Sequence, residues 1–135
     1  MALSFDNIII LVSCATSLLA VCISAYAVWE SKQTQLNAAY FSEMTAAYSK
    51  YLDSISMFVL RRDAASRDSL AADLYKLKLF APGKIMKASQ ELYNDLLLWS
   101  DQEHDIGFPL DDRVHDLAEL MKAHLETFHR RTASR

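Results

Sequence analysis

The sequence predicts an all-α fold: an N-terminal transmembrane helix continuous with a cytosolic antiparallel helical bundle of about four helices. Three observations predict it. The stretch from Asn7 to Trp29 contains no Asp, Glu, Lys, Arg or His. Beyond it, apolar residues recur in steps of three and four, the helical period, and nowhere with the alternation that marks a strand. No Gly or Pro occurs before Pro82, so nothing interrupts the backbone between the apolar run and the first half of the bundle. At 135 residues the chain has room for one core plus an anchor, not for two independent cores. The expected division is an anchor over residues 1–30, a bundle over 31–130 and a frayed, solvated end over 131–135.

The anchor comes first. Asn7–Trp29 is 23 residues long, and as a helix it reaches roughly 35 Å, enough for a hydrocarbon core of about 30 Å. Its centre is built from Ile8, Ile9, Ile10, Leu11 and Val12, then Leu18, Leu19, Val21, Ile23 and Val28. Tyr26 and Trp29 stand at the end of the run, where amphipathic rings meet headgroups. The structural rival is a cleaved secretory signal, with Ala25-Tyr26-Ala27 as the small-x-small site. Met1 to Asp6 lacks the Lys or Arg such a signal carries, and the run exceeds a signal core of about 7–15 residues, so retention is expected. Lys32, Lys50, Arg61 and Arg62 come after the span while only Asp6 precedes it. The positive-inside bias therefore puts the N-terminus outside and the C-terminal part in the cytoplasm. Cys14 and Cys22 both lie inside the run, eight positions apart on one helix, and cannot bridge each other.

After the anchor, Leu36, Tyr40, Met44, Ala47, Tyr51, Ile55 and Phe58 mark one face of the same helix, read from about Ser4 to about Leu60. Asp63 or Ser66 caps a second helix with core positions Leu70, Leu74, Leu77 and Phe80. Pro82-Gly83 is expected to end it, glycine supplying the turn. A third helix carries Ile85, Ala88, Leu92, Leu96 and Trp99; Gly107-Phe108-Pro109 breaks the chain again. The last helix starts near Asp111 and aligns Val114, Leu117, Met121, Leu125 and Phe128. The stretch from Tyr51 to Trp99, and above all Leu77-Lys78-Leu79-Phe80-Ala81-Pro82-Gly83-Lys84-Ile85, resembles a helical hairpin of small bacterial membrane-anchored proteins of unassigned function. The resemblance covers about a third of the chain. It implies a bacterial or phage origin and no chemistry.

Two patterns point to binding. Within the span, Ser13, Ser17, Ala20, Ser24 and Ala27 are set at steps of four and three and line one stripe. Small side chains let helices approach closely, and a serine hydroxyl bonded across such a contact contributes about 0.6 kcal/mol on average. Self-association of the span is the expectation; the plainer alternative is serine bonding its own helix one turn back. The second pattern is charge. Arg61, Arg62, Arg67, Lys76, Lys78, Lys84 and Lys87 face only Asp63, Asp68 and Asp73 in that stretch, whereas nine acids from Glu91 to Glu119 are met by Arg113 alone. The basic block suits anionic headgroups or a nucleotide phosphate. Its plainer reading is a solvated helical face with modest ion pairs. A net charge of −3 and a pI near 5.7 argue against a general nucleic-acid binder.

Other chemistry is poorly represented. Asp111, His115 and Glu119 share a helix face, but no HExxH and no cysteine pair supports a metal site, and His104, His115, His124 and His129 are expected to be solvated. Two glycines cannot make a phosphate loop, and no serine sits in a nucleophile elbow. Tyr40, Tyr48, Tyr51, Tyr75 and Tyr93 read as core-edge residues whose hydroxyls reach water, with no cofactor assigned. No catalytic residue and no cofactor is therefore expected. The bilayer, a second copy of the chain and a protein partner are the expected partners of a non-enzymatic interaction or assembly module. Two alternatives stand beside it: a pore-forming effector or toxin of a bacterial defence or phage system, with serines lining the pore, and a membrane-tethered receptor for a nucleotide or phosphorylated signal.

Overall fold

A computed structural model describes residues 5–101 and 110–134. Among these residues the chain is helical throughout, without a strand: α1 (Phe5–Arg61), α2 (Ala64–Leu77), α3 (Gly83–Asp101) and α4 (Leu110–Ala133). Two compact units divide it, Met1–Ala38 and Ala39–Arg135, and α1 contributes to both.

The first unit is a single helical segment. From Phe5 to Leu36 every side chain is exposed, including all ten Leu, Ile and Val residues of the apolar run. A helix that is apolar all round and packs on nothing is unstable in water and suited to lipid. On an insertion scale of about −0.3 to −0.6 kcal/mol per such residue, those ten contribute about 3–6 kcal/mol towards the bilayer. This is the one helix among the described residues long and apolar enough to span a membrane.

The second unit is the antiparallel bundle. Its core takes Met44, Tyr48, Tyr51, Ile55 and Phe58 from α1, and Leu70, Leu74 and Leu77 from α2. Ile85, Leu92 and Leu96 come from α3, and Leu117 and Met121 from α4. On each helix these positions repeat at three and four, so one stripe per helix is removed from water. Val114, Leu125 and Phe128 complete the α4 stripe half-buried.

The connections show why the helices stop where they do. Arg62 takes a left-handed conformation, φ 50°, and its N–H reaches the Phe58 carbonyl at 2.8 Å. A residue in that region ends a helix by folding the next N–H back onto an orphan carbonyl. Asp63 then caps α2: its Oδ1 accepts the Ser66 N–H at 2.8 Å while the Ser66 hydroxyl donates to the Asp63 carbonyl at 3.0 Å.

At the other end of α2 the expectation needs correcting. The helix ends at Leu77 and tightens into a turn in which Leu79 and Phe80 donate to Lys76 and Leu77, each at 3.1 Å. Pro82-Gly83 opens α3 instead of closing α2. The Pro82 carbonyl accepts the Met86 N–H at 3.0 Å, and Gly83 is the first helical residue, without positive φ. Proline is tolerated at a helix start because its missing N–H has no partner to lose. At the C-terminus α4 runs on through Arg130 and Arg131 to Ala133. Gly107-Phe108-Pro109 and His104 lie outside the described residues.

Candidate functional site

Within the second unit, α1 sends one polar side chain to each of the other three helices. Tyr48 Oη lies 2.8 Å from His124 Nδ1 on α4. Tyr51 donates its hydroxyl to the Ser89 carbonyl on α3 at 2.9 Å. Ser54 donates to an Asp73 carboxylate oxygen on α2. Residues three apart on a helix point about 60° apart in sequence. The bonds therefore fan out around α1 in the order α4, α3, α2.

These bonds correct the expectation for two tyrosines and one histidine. The Tyr48 and Tyr51 hydroxyls do not reach water; both side chains are buried. Burial pushes the Tyr48 phenol up to about 12 and raises that of Tyr51 too, so both remain neutral. His124 is half-buried rather than solvated, and burial first, then the Arg131 charge, lowers its pKa. A neutral ring sharing one hydrogen bond with Tyr48 through Nδ1 agrees with that direction. Tyr93 sits at the core edge, and Tyr40 and Tyr75 are exposed.

The most polar of the three contacts underlies a cleft. Asp73 is 3% exposed, held by Ser54 and by Lys50, whose ammonium is 3.8 Å away and mostly in water. Above this pair lies a cleft of about 400 Å³ between α1 and α2, lined by Lys50, Asp53, Ser54, Met57, Arg61, Ala65, Ser66 and Ser69. Two bases there face Asp53 and the buried Asp73, a balanced set rather than an anion trap.

The seven bases of the predicted anion site do not form one cluster. All are exposed. Arg61, Arg62 and Arg67 stand at the α1–α2 connection, whereas Lys76, Lys78, Lys84 and Lys87 stand around the α2–α3 turn. Along α2 the nearest members of the two groups, Arg67 and Lys76, are nine residues or roughly 14 Å apart, beyond the screening length of about 8 Å in physiological salt. Arg62 is engaged elsewhere, its guanidinium 4.1 Å from the Trp99 ring. Nor do the bases pair with the acidic stretch: the ion pairs found among the described residues are Lys50–Asp73 and Asp95–Arg113. His115 and Glu119 are exposed on α4; the side chain of Asp111 lies outside the described residues.

In the first unit, Ser13, Ser17, Ala20, Ser24 and Ala27 are all exposed on one helix. Ser17 donates to the Ser13 carbonyl and Ser24 to the Ala20 carbonyl, both at 2.8 Å. Thr16 likewise donates to Val12 and Ser13. With these protons used within the helix, what the stripe offers a neighbour is close approach. Ala20 and Ser24 also line an open apolar groove of about 670 Å³ with Val21, Ala25, Val28, Trp29 and Lys32.

Sequence reasoning gave Ser54 no role and counted Asp73 only among the acids of the basic stretch. The available signal was position: Ser54 stands beside Ile55 and Asp73 beside Leu74, on stripes that become core. Compared with protein-family models, with curated proteins and with solved structures, the chain matches none.

Proposed function

We propose that this chain is a non-enzymatic, membrane-anchored assembly module that associates with copies of itself through its transmembrane helix and engages a protein partner through its bundle. One observation carries the reading: the apolar helix buries nothing of its own, and its stripe of small residues offers another helix a surface of low relief. Without a hydrophobic drive between helices in lipid, such close packing is the main source of association. The buried polar side chains Ser54, Tyr51 and Asp73 support a non-catalytic role, since their polar atoms are spent on one another and on the backbone. The positive charge after the span supports an N-terminus outside and a bundle in the cytoplasm.

The test is Ser17→Ile with Ala20→Ile in the full chain. These branched side chains force neighbouring backbones apart, so the oligomer seen in mild detergent or by crosslinking in membranes shifts towards monomer. Unchanged oligomer size sinks the proposal. A pore-forming effector draws less support, because the Ser17 and Ser24 hydroxyl protons are directed to their own backbone. Dye release from vesicles at high protein density is the result that restores it. A nucleotide receptor draws less too, its bases being divided between two ends of the bundle.

A further inference from the structure

The bundle has one strongly basic end. Tyr40, the second residue of the unit, has its ring 5.3 Å from that of Phe80 and 5.4 Å from that of Phe128. Phe41 adds contacts to Phe128 and His129 at 6.1 and 5.9 Å. These rings bring together the point where α1 joins the bundle, the α2–α3 turn and the last turns of α4. Lys78 and Lys84 flank Phe80 in sequence, Arg130 and Arg131 come just after Phe128, and Lys76 lies one turn before Phe80; all five are exposed. None belongs to an ion pair among the described residues. The acids of the same end are Glu43 and Glu126, both exposed. The end also carries an apolar tip, since Leu79 is 72% and Tyr75 is 70% exposed, with the Lys78 ammonium 4.4 Å from the Tyr75 ring.

We propose that this end docks on anionic lipid headgroups of the membrane that holds the span, with Leu79 inserted at the boundary between headgroups and acyl chains. Two independent observations carry it. The charge is of the sign that an anionic leaflet attracts, and it surrounds an apolar side chain that has no partner in the bundle. The chain enters the unit at this end, so no more than nine residues, 30–38, lie between the uncharged run and the docking surface. A tether of that length holds the bases near a leaflet at high local concentration. The proposal rests on the span as anchor and is independent of self-association.

The experiment uses the full chain with Cys14→Ala and Cys22→Ala, an environment-sensitive fluorophore on Leu79→Cys, and nanodiscs of phosphatidylcholine with or without phosphatidylglycerol. Co-elution with neutral nanodiscs reports the span. The Leu79→Cys label is expected to brighten about twofold or more in anionic discs and to lose that gain near 0.5 M salt, where screening shortens to roughly 4 Å. A label on Asp68→Cys, at the opposite end of α2, stays unchanged. Lys78→Gln, Lys84→Gln, Arg130→Gln and Arg131→Gln together abolish the gain while the circular dichroism stays that of the parent. Equal signals in neutral and anionic discs overturn docking while leaving the anchor intact, and mean that the bases serve a soluble acidic partner or none. Brightening that survives the four substitutions also overturns it. Failure to co-elute with neutral discs overturns anchor and docking together.

Discussion

Replacing Ser54 by alanine tests whether the buried Asp73 depends on its hydroxyl partner or on its ionic one. Asp73 is 3% exposed, and once the Ser54 hydroxyl is removed no other side-chain hydrogen bond to it remains among the described residues. A hydrogen bond to a charged group contributes about 1.5–3 kcal/mol, and a buried group left without one bears its desolvation cost in full. Lys50 cannot replace it: the ammonium is 3.8 Å away on a side chain 61% exposed, a pairing worth about 0.2–1 kcal/mol. For a unit of this size 1 kcal/mol moves the melting temperature by roughly 4–8 °C. Ser54→Ala is thus expected to lower it by roughly 6–24 °C, and Lys50→Ala by no more than about 8 °C. The assay is thermal unfolding of the full chain in mild detergent, monitored by near-ultraviolet circular dichroism to report tertiary packing. Ser54→Ala with Asp73→Leu should recover much of the loss, because removing both polar partners leaves nothing unsatisfied. A Lys50→Ala shift equal to or larger than that of Ser54→Ala would refute the reasoning and assign the Asp73 contact to the surface ion pair.

The same bundle yields two further predictions. The folded-state pKa of His124 is lowered below its unfolded value near 6.5. Its contribution to stability is present above that value and is lost as the pH falls through the folded pKa. A denaturant midpoint that drops between neutral pH and about pH 5 should flatten in His124→Gln; an identical drop in the variant refutes the assignment. Gly83 is helical, lacks positive φ and leaves a Cβ nothing to meet within 4 Å. Gly83→Ala should therefore stabilise the bundle by about 0.4–1 kcal/mol, measured by the same melts, and a loss of stability would show that the glycine serves as the turn the bare sequence suggested.

Much of this fold could be read from the chain because its signals are local. The uncharged run, the stripe from Met44 to Phe58 and the Asp63 cap each depend on residues within a turn or two of one another. Pro82 misled because proline punctuates both the end of one helix and the start of the next, and only the Pro82–Met86 hydrogen bond distinguishes them. The tyrosine hydroxyls were beyond reach for a different reason. Their partners lie 76 and 38 residues away, so their fate is set by how helices pack and not by spacing along α1. The basic block is divided because adjacency in sequence is not adjacency in space: a helix of α2's length carries its two flanks to opposite ends of a bundle. Arg130 and Arg131, which the sequence did not connect with the basic block, belong with Lys78 and Lys84 because aromatic contacts far apart in sequence draw those segments together.

The fan of polar bonds from α1 has a consequence for handedness. Four antiparallel helices joined by short links can close with the second helix on either side of the first, and apolar stripes alone satisfy both mirror topologies about equally well. Tyr48, Tyr51 and Ser54 turn steadily in one sense around α1, and each meets a different complementary group. Exchanging α2 with α4 would turn Ser54 towards the α4 side and strand the carboxylate of Asp73 in an apolar interior. The chirality of this bundle is thereby written into three side chains within two turns of a single helix.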